Sequence, residues 1–218
     1  MKKLFSLLLS TTLFVGAIYA QKKSDIRLNG YAGYVFDDAI DSYYDANNYY
    51  NGKIIGAFQW GVGIESKINR GMGVELLYLR QDTKAPMRYL GGSGLPKNKE
   101  FNIGMNYIML GINRYFGANP KVEPYVGPML GMAIASIKNP DPGGSSSITK
   151  FAWGLRGGAN IWASPKVAIK LQMQLLSATQ GFGGGAYFGT GGVGVGLQSY
   201  SSVLQFGLGG GLAFKIGK

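Results

Sequence analysis

The sequence predicts an all-β fold: an eight-stranded antiparallel transmembrane β-barrel that runs up and down as a meander. Three observations predict it. Eight segments alternate in side-chain character over lengths that suit a tilted strand crossing a membrane, about 9 to 11 residues or more. The connections between them alternate between short and long. The clearest segments place bulky apolar residues on one face and Gly, Gln, Lys and Arg on the other, the reverse of what a water-soluble barrel needs.

Residues 1–20 read as a signal peptide. Lys2 and Lys3 form a basic start, an apolar run follows to Ile18, and Ala17-Ile18-Tyr19-Ala20 offers a cleavage site. Ser10, Thr11 and Thr12 interrupt the run, which argues against a membrane anchor of about 20 unbroken apolar residues. Residues 21–218 then form one domain, with nothing in them that resembles a transmembrane helix.

The segments run over 26–36, 53–67, 72–81, 101–116, 122–137, 150–163, 167–177 and 200–216. Tight turns at 68–71, 117–121 and 164–166 join the second to the third, the fourth to the fifth and the sixth to the seventh. The other connections, 37–52, 82–100, 138–149 and 178–199, are all long. Short periplasmic turns opposite long external loops are the outer-membrane pattern, and both termini then fall on the periplasmic side.

Segment seven sets Val167, Ile169, Leu171, Met173 and Leu175 against Ala168, Lys170, Gln172 and Gln174. Segment six opposes Phe151, Trp153, Leu155 and Ile161 to Lys150, Gly154, Arg156 and Asn160. In segment eight, Leu204, Phe206, Leu208, Leu212, Phe214 and Ile216 share one face, and Gln205, Gly207, Gly209, Gly211, Ala213 and Lys215 share the other. A lipocalin-like soluble barrel would bury the first set. A lipid-embedded one turns it outward.

Composition agrees with this. Glycine numbers 36, with 14 Tyr, 11 Phe and 3 Trp, which suits closely approaching strands with interfacial aromatics. Interface belts are expected at Tyr34, Phe36, Tyr49, Tyr50, Phe101, Tyr107, Tyr115, Phe116, Trp162, Phe188 and Tyr200.

A cation at the lipid midplane costs about 2 to 4 kcal/mol, so charges within the strands should point inward. The candidate lumen charge network is Arg27, Glu65, Glu75, Arg114, Glu123, Arg156, Lys170 and Lys215, with the phase of Arg114 unfixed because its segment alternates weakly. Both signs on one interior face predict ion pairs that fill a narrow lumen. A narrow polar pore through the same residues is the competing reading.

Function classes narrow by exclusion. Without His or Cys the chain cannot build Ser-His-Asp or Cys-His nucleophiles or the usual zinc sites, and no catalysis or cofactor is expected. Setting Lys2 and Lys3 aside, the formal charge falls from +11 to +9. An exported chain without basic clusters among stacking aromatics points away from nucleic acid and toward lipopolysaccharide phosphates. Asp37, Asp38, Asp41 and Asp45 lack the spacing of a calcium loop, so a solvated loop is expected with calcium as the alternative. The second long connection carries Lys84, Arg88, Lys97 and Lys99, and the glycine-rich last one lacks the Lys-Ser/Thr of a phosphate loop.

The stretch YIMLGINRYF at 107–116, Pro124-Tyr125-Val126-Gly127 with Gly131, and the glycine-rich segment ending Leu212-Ala213-Phe214 carry a resemblance. The chain resembles the small, porin-like outer-membrane β-barrel domain family, with the architecture of the OmpA membrane domain and OmpX. The resemblance covers nearly all of residues 21–218. It implies a Gram-negative outer-membrane barrel surrounded by outer-membrane lipids and lipopolysaccharide. It also implies handling by barrel-assembly machinery, with Phe214 the aromatic nearest the C-terminus. The expected role is structural or surface interaction; a narrow channel for small solutes or ions and ligand capture by the long loops are the alternatives.

Overall fold

The computed structural model describes residues 25–45, 48–90, 96–117, 119, 121–138, 145–179, 185–189, 192–196 and 203–216. The expected signal peptide lies outside the described residues. The strands are β1 (Ile26–Val35), β2 (Asp38–Asp45), β3 (Asn48–Ile54), β4 (Ala57–Asn69), β5 (Met72–Leu90) and β6 (Pro96–Tyr115), followed by β7 (Val122–Lys138), β8 (Ser145–Trp162), β9 (Val167–Thr179), β10 (Gly185–Gly189), β11 (Gly192–Gly196) and β12 (Val203–Ile216).

Eight of these close a barrel in the order β1-β4-β5-β6-β7-β8-β9-β12, each antiparallel to its neighbours. β12 returns to β1 in register from Ile26↔Ile216 to Val35↔Gly207. Closure pairs the backbone polar groups of every barrel strand, the condition for crossing hydrocarbon without helices. At this seam Gly33 lies opposite Gly209. A Cβ on Gly33 would stand 2.7 Å from the Leu208 carbonyl oxygen and 2.9 Å from the Gly209 Cα, so the first and last strands approach without side chains between them.

The outward positions form an apolar belt. Phe58, Ile64, Leu76, Leu130, Leu155, Met173 and Leu208 are all exposed, with Phe58 at 60%. A continuous belt of this size in water would drive aggregation; in lipid it is the solvated surface.

The second long connection departs from the expected loop. β5 and β6 stay paired without interruption as far as Leu90↔Pro96. Here the alternation reverses: Ala85, Met87, Phe101 and Ile103 point inward and are buried, while Asp82, Lys84, Arg88, Glu100 and Asn102 point outward and are exposed. A pair of strands leaving lipid for water needs this reversal, and in the sequence it hides the strand behind its charges. The first long connection holds the β2–β3 hairpin, which joins β5 through Tyr50↔Tyr89 to Gly52↔Met87. The third shortens because β8 already starts at Ser145, and the last contains the β10–β11 hairpin.

Candidate functional site in the barrel lumen

Two charge clusters fill the half of the lumen next to the short turns. At the mouth, Arg27 forks onto Glu123, Nη1 to Oε2 at 2.7 Å and Nη2 to Oε1 at 3.2 Å. Lys67 Nζ donates to Glu123 Oε1 at 2.9 Å, and Asn160 Nδ2 to Oε2 at 3.0 Å. The same cations lie over aromatic rings: Lys67 Nζ is 3.3 Å from the Tyr115 centroid, and the Arg27 guanidinium is 4.9 Å from that of Trp162. Lys215 Nζ caps Trp162 from 4.0 Å. Each cation is thus answered by a carboxylate or a π-face.

One layer deeper, Glu75 is held by four donors. Arg156 Nη2 approaches Oε2 at 2.5 Å, Tyr31 Oη and Asn29 Nδ2 approach Oε1 at 2.6 and 2.7 Å, and Asn113 Nδ2 reaches Oε2 at 3.5 Å. Asn113 in turn accepts from Arg156 Nε at 3.0 Å, which fixes the guanidinium. Glu65 accepts from Tyr115 Oη, Asn29 and Asn113. Lys170 Nζ reaches Asn29 Oδ1 at 3.5 Å and lies over Tyr31 and Tyr125. The side chains of Glu75 and Arg156 are 0% exposed, so these groups block the cross-section.

Glycines make room for this layer. A Cβ on Gly63 would collide with the Glu75 carboxylate, and one on Gly73 with that of Glu65. A Cβ on Gly111 would stand 2.8 Å from Arg156 Nη2.

Above it, Gln59 pairs with Gln174 at 2.5 Å, and Tyr125 donates to Gln172 at 2.9 Å. Farther from the short turns the lumen becomes mainly apolar, although Gln81, Gln205, Ser177 and Lys150 are buried there too. Leu77, Leu79, Tyr107, Met109, Met129 and Leu176 are all buried within one cluster that continues to Met87, Phe101 and Val203. The cavity beside Gln59, Gln174 and Gly209 holds only about 20 Å³.

Of the eight residues expected in the lumen, Arg27, Glu65, Glu75, Glu123, Arg156, Lys170 and Lys215 face inward. Arg114 does not. It is exposed on the outer wall, in phase with Ile108, Leu110 and Ile112, and its guanidinium lies beside the Gly71 turn. Its position at the end of β6 lets it face outward without entering the lipid midplane. Lys67 completes the mouth although the sequence reading passed over it; its parity with Glu65 was the available signal.

The aromatic expectations divide. Tyr34, Phe36 and Phe116 are exposed outside, but Phe101, Tyr107 and Tyr115 are buried inside and Trp162 is half-buried under Arg27 and Lys215. Their parity places them in the lumen. The belt includes Trp60, Trp153 and Phe206 instead. The side chains of Tyr49, Tyr50, Phe188 and Tyr200 lie outside the described residues, as do those of Asp41 and Asp45. Asp37 accepts from Lys53 Nζ at 2.6 Å and from the Gly56 amide at 2.7 Å, and Asp38 accepts from the Leu204 amide at 3.0 Å. Among the described residues no group of three or more His, Cys, Asp or Glu could hold a metal ion.

Comparison with known proteins gives a family and a fold. Residues 5–198 match the outer membrane protein β-barrel domain family. The solved structure of Neisserial surface protein A is similar at TM-score 0.56 and 17% identity, covering 88% of this chain and 97% of that one. Outer membrane protein OprG from Pseudomonas aeruginosa gives 0.59 and 13%, covering 91% and 98%. Outer membrane protein AlkL, solved in lipid bilayers, gives 0.53 and 13%, covering 91% and 93%. No curated protein sequence matches the chain.

Proposed function

The chain belongs to the outer membrane protein β-barrel domain family, and from that premise we propose a non-conducting, non-enzymatic barrel that holds a folded platform of β-hairpins at the cell surface. In this reading residues 1–20 are a signal peptide, the tight turns and both termini are periplasmic, and the extended β2–β3 and β5–β6 hairpins are external. Surface interaction is then the role of the platform, and the barrel is its anchor. Barrel-assembly machinery inserts it, and lipopolysaccharide surrounds its outer rim.

The observation that carries the proposal is the filled lumen. A pore needs a continuous water path, whereas here the fully buried Glu75–Arg156 layer is followed by a packed layer of buried Leu77, Leu79, Met109 and Leu176. Ions would cross first a knot of paired charges and then a filled, mainly apolar constriction, which resists wetting.

The test is single-channel recording of the refolded chain in planar bilayers, with heat-modifiable gel mobility as the check on folding. Silence from folded protein is the expected result. Steady openings that change when Glu75 is neutralised would overturn the proposal in favour of a narrow channel.

A further inference from the structure

The two ends of the barrel differ in how their cations are answered. At the long-loop end Lys53 pairs with Asp37 at 2.6 Å, Arg80 with Asp82 at 2.6 Å and Lys84 with Glu100 at 2.7 Å, whereas Arg88 and Lys138 are exposed and in no ion pair among the described residues. At the short-turn end the mouth cations Arg27 and Lys67 share Glu123. The rim beyond them carries Arg70, Arg114, Lys121 and Lys166, all exposed and none in an ion pair among the described residues. Asp25 is the one rim carboxylate among those residues.

These four cations occupy the three tight turns and the adjoining end of β6, and backbone hydrogen bonds tie their positions into one arc. The Tyr115 amide donates to the Gly71 carbonyl, the Trp162 amide to that of Lys121, and the Lys215 amide to that of Lys166, each at 2.8 Å. The arc lies at the edge of the apolar belt, next to exposed Ile68, Ile112, Phe116, Ile161 and Ile169. Arg114 makes the geometry explicit: it stands on the lipid-facing wall two residues beyond Ile112, with its guanidinium turned to the turn of its neighbour. A long cationic side chain there extends from the hydrocarbon edge to the depth of lipid phosphates.

We propose that this rim is a binding surface for anionic phospholipid headgroups in the leaflet at the short-turn end. A soluble polyanion would be met equally by cations on any face. Cations ringing the margin of a hydrocarbon-facing belt fit a phosphate that arrives with acyl chains attached. The inference rests on the proposed bilayer-spanning barrel, and the experiment separates the two.

The refolded chain is placed in phosphatidylcholine vesicles containing a minor share of phosphatidylglycerol, and lipid retained on extraction is measured by native mass spectrometry. Phosphatidylglycerol is expected to be enriched about fivefold over its share in the vesicle, the ratio for a headgroup that meets one of these cations and gains about 1 kcal/mol from it. Combined Arg70→Gln, Arg114→Gln, Lys121→Gln and Lys166→Gln should abolish the enrichment with gel mobility unchanged. Arg80→Gln with Lys84→Gln should leave it intact. Equal loss in both variants, no enrichment in the parent chain, or displacement by excess soluble glycerophosphate would each overturn the lipid site. Failure of the parent chain to enter vesicles would instead overturn the barrel reading. A Cys introduced at Ser164, shielded from an impermeant reagent in whole cells while one at Arg88 reacts, places the rim in the periplasmic leaflet; the opposite labelling overturns that placement.

Discussion

The short-turn half of this barrel and the extended β5–β6 hairpin at its other end follow opposite rules. Near the short turns, strands put Leu, Ile and Phe outside and Glu, Arg, Lys and Asn inside. Near the long loops, β5 and β6 put Asp82, Lys84, Glu100 and Asn102 outside and Ala85, Met87, Phe101 and Ile103 inside. The surrounding solvent sets the phase, and the interior takes the complementary set. On β5 the change falls between Leu76, outward and exposed, and Arg80, outward and polar, while Leu77 and Leu79 already fill the lumen. The hydrocarbon boundary is therefore written in the strand about one turn of the pleat below the first outward charge. One half is held together by satisfied charges, the other by packing.

Near-isosteric substitutions break the comparison most sharply. Glu75→Gln conserves shape yet leaves Arg156 buried without its counter-charge, and breaking such a pair costs about 3 to 5 kcal/mol. Leu79→Met conserves volume in the apolar half and should cost less than about 1.5 kcal/mol. Urea unfolding of the refolded barrel, followed by tryptophan fluorescence, measures both. Equal losses would mean that the two halves do not differ in kind.

A smaller effect tests whether the glycines are spaced by the charge layer. Gly63→Ala pushes a methyl into the Glu75 carboxylate, which Tyr31 and Asn29 hold in place, and overpacking of this kind costs about 1 to 3 kcal/mol. In a Glu75→Ala background the collision disappears, so a double-mutant cycle should show strong coupling. Additive losses would show that Gly63 serves the backbone and not the carboxylate.

What the sequence revealed follows from the same contrast. Period-two alternation is legible where one side of a strand meets lipid, so the eight crossings, the closing β12 and the inward Glu75, Arg156 and Lys170 could be read from parity alone. Where β5 and β6 leave the lipid, the alternation survives but changes sign, and 82–100 looks like a charged loop. Arg114 and Lys67 fail for a different reason. Both stand at strand ends, where a cation can face either way, and only the register places Lys67 on Glu123 and Arg114 beside Gly71. Tyr107 and Phe101 look like belt residues by type, and only their parity with Met105 and Met109 puts them inside.

The smallest effect lies where the long-loop half meets water. Hydrogen bonds from Lys53 and the Gly56 amide hold the Asp37 carboxyl below its ordinary value of 3.8. A depressed carboxylate contributes stability that is present above the unfolded value and is lost as the pH falls through the folded one. Loosening of this corner should therefore begin only below about pH 4, as Asp37 takes up a proton. Amide exchange at Gly56, which donates to Asp37 Oδ1 at 2.7 Å, should accelerate in that window beyond the intrinsic pH trend, while the amide of Val62, inside the β1–β4 ladder, keeps its protection. Asp37→Asn should remove the pH-dependent part at Gly56 alone. Simultaneous loss at both amides would tie the hairpin corner to the barrel as one cooperative unit, and the distinction between a charged, lipid-clad half and a packed, water-clad half would then not extend to how each half opens.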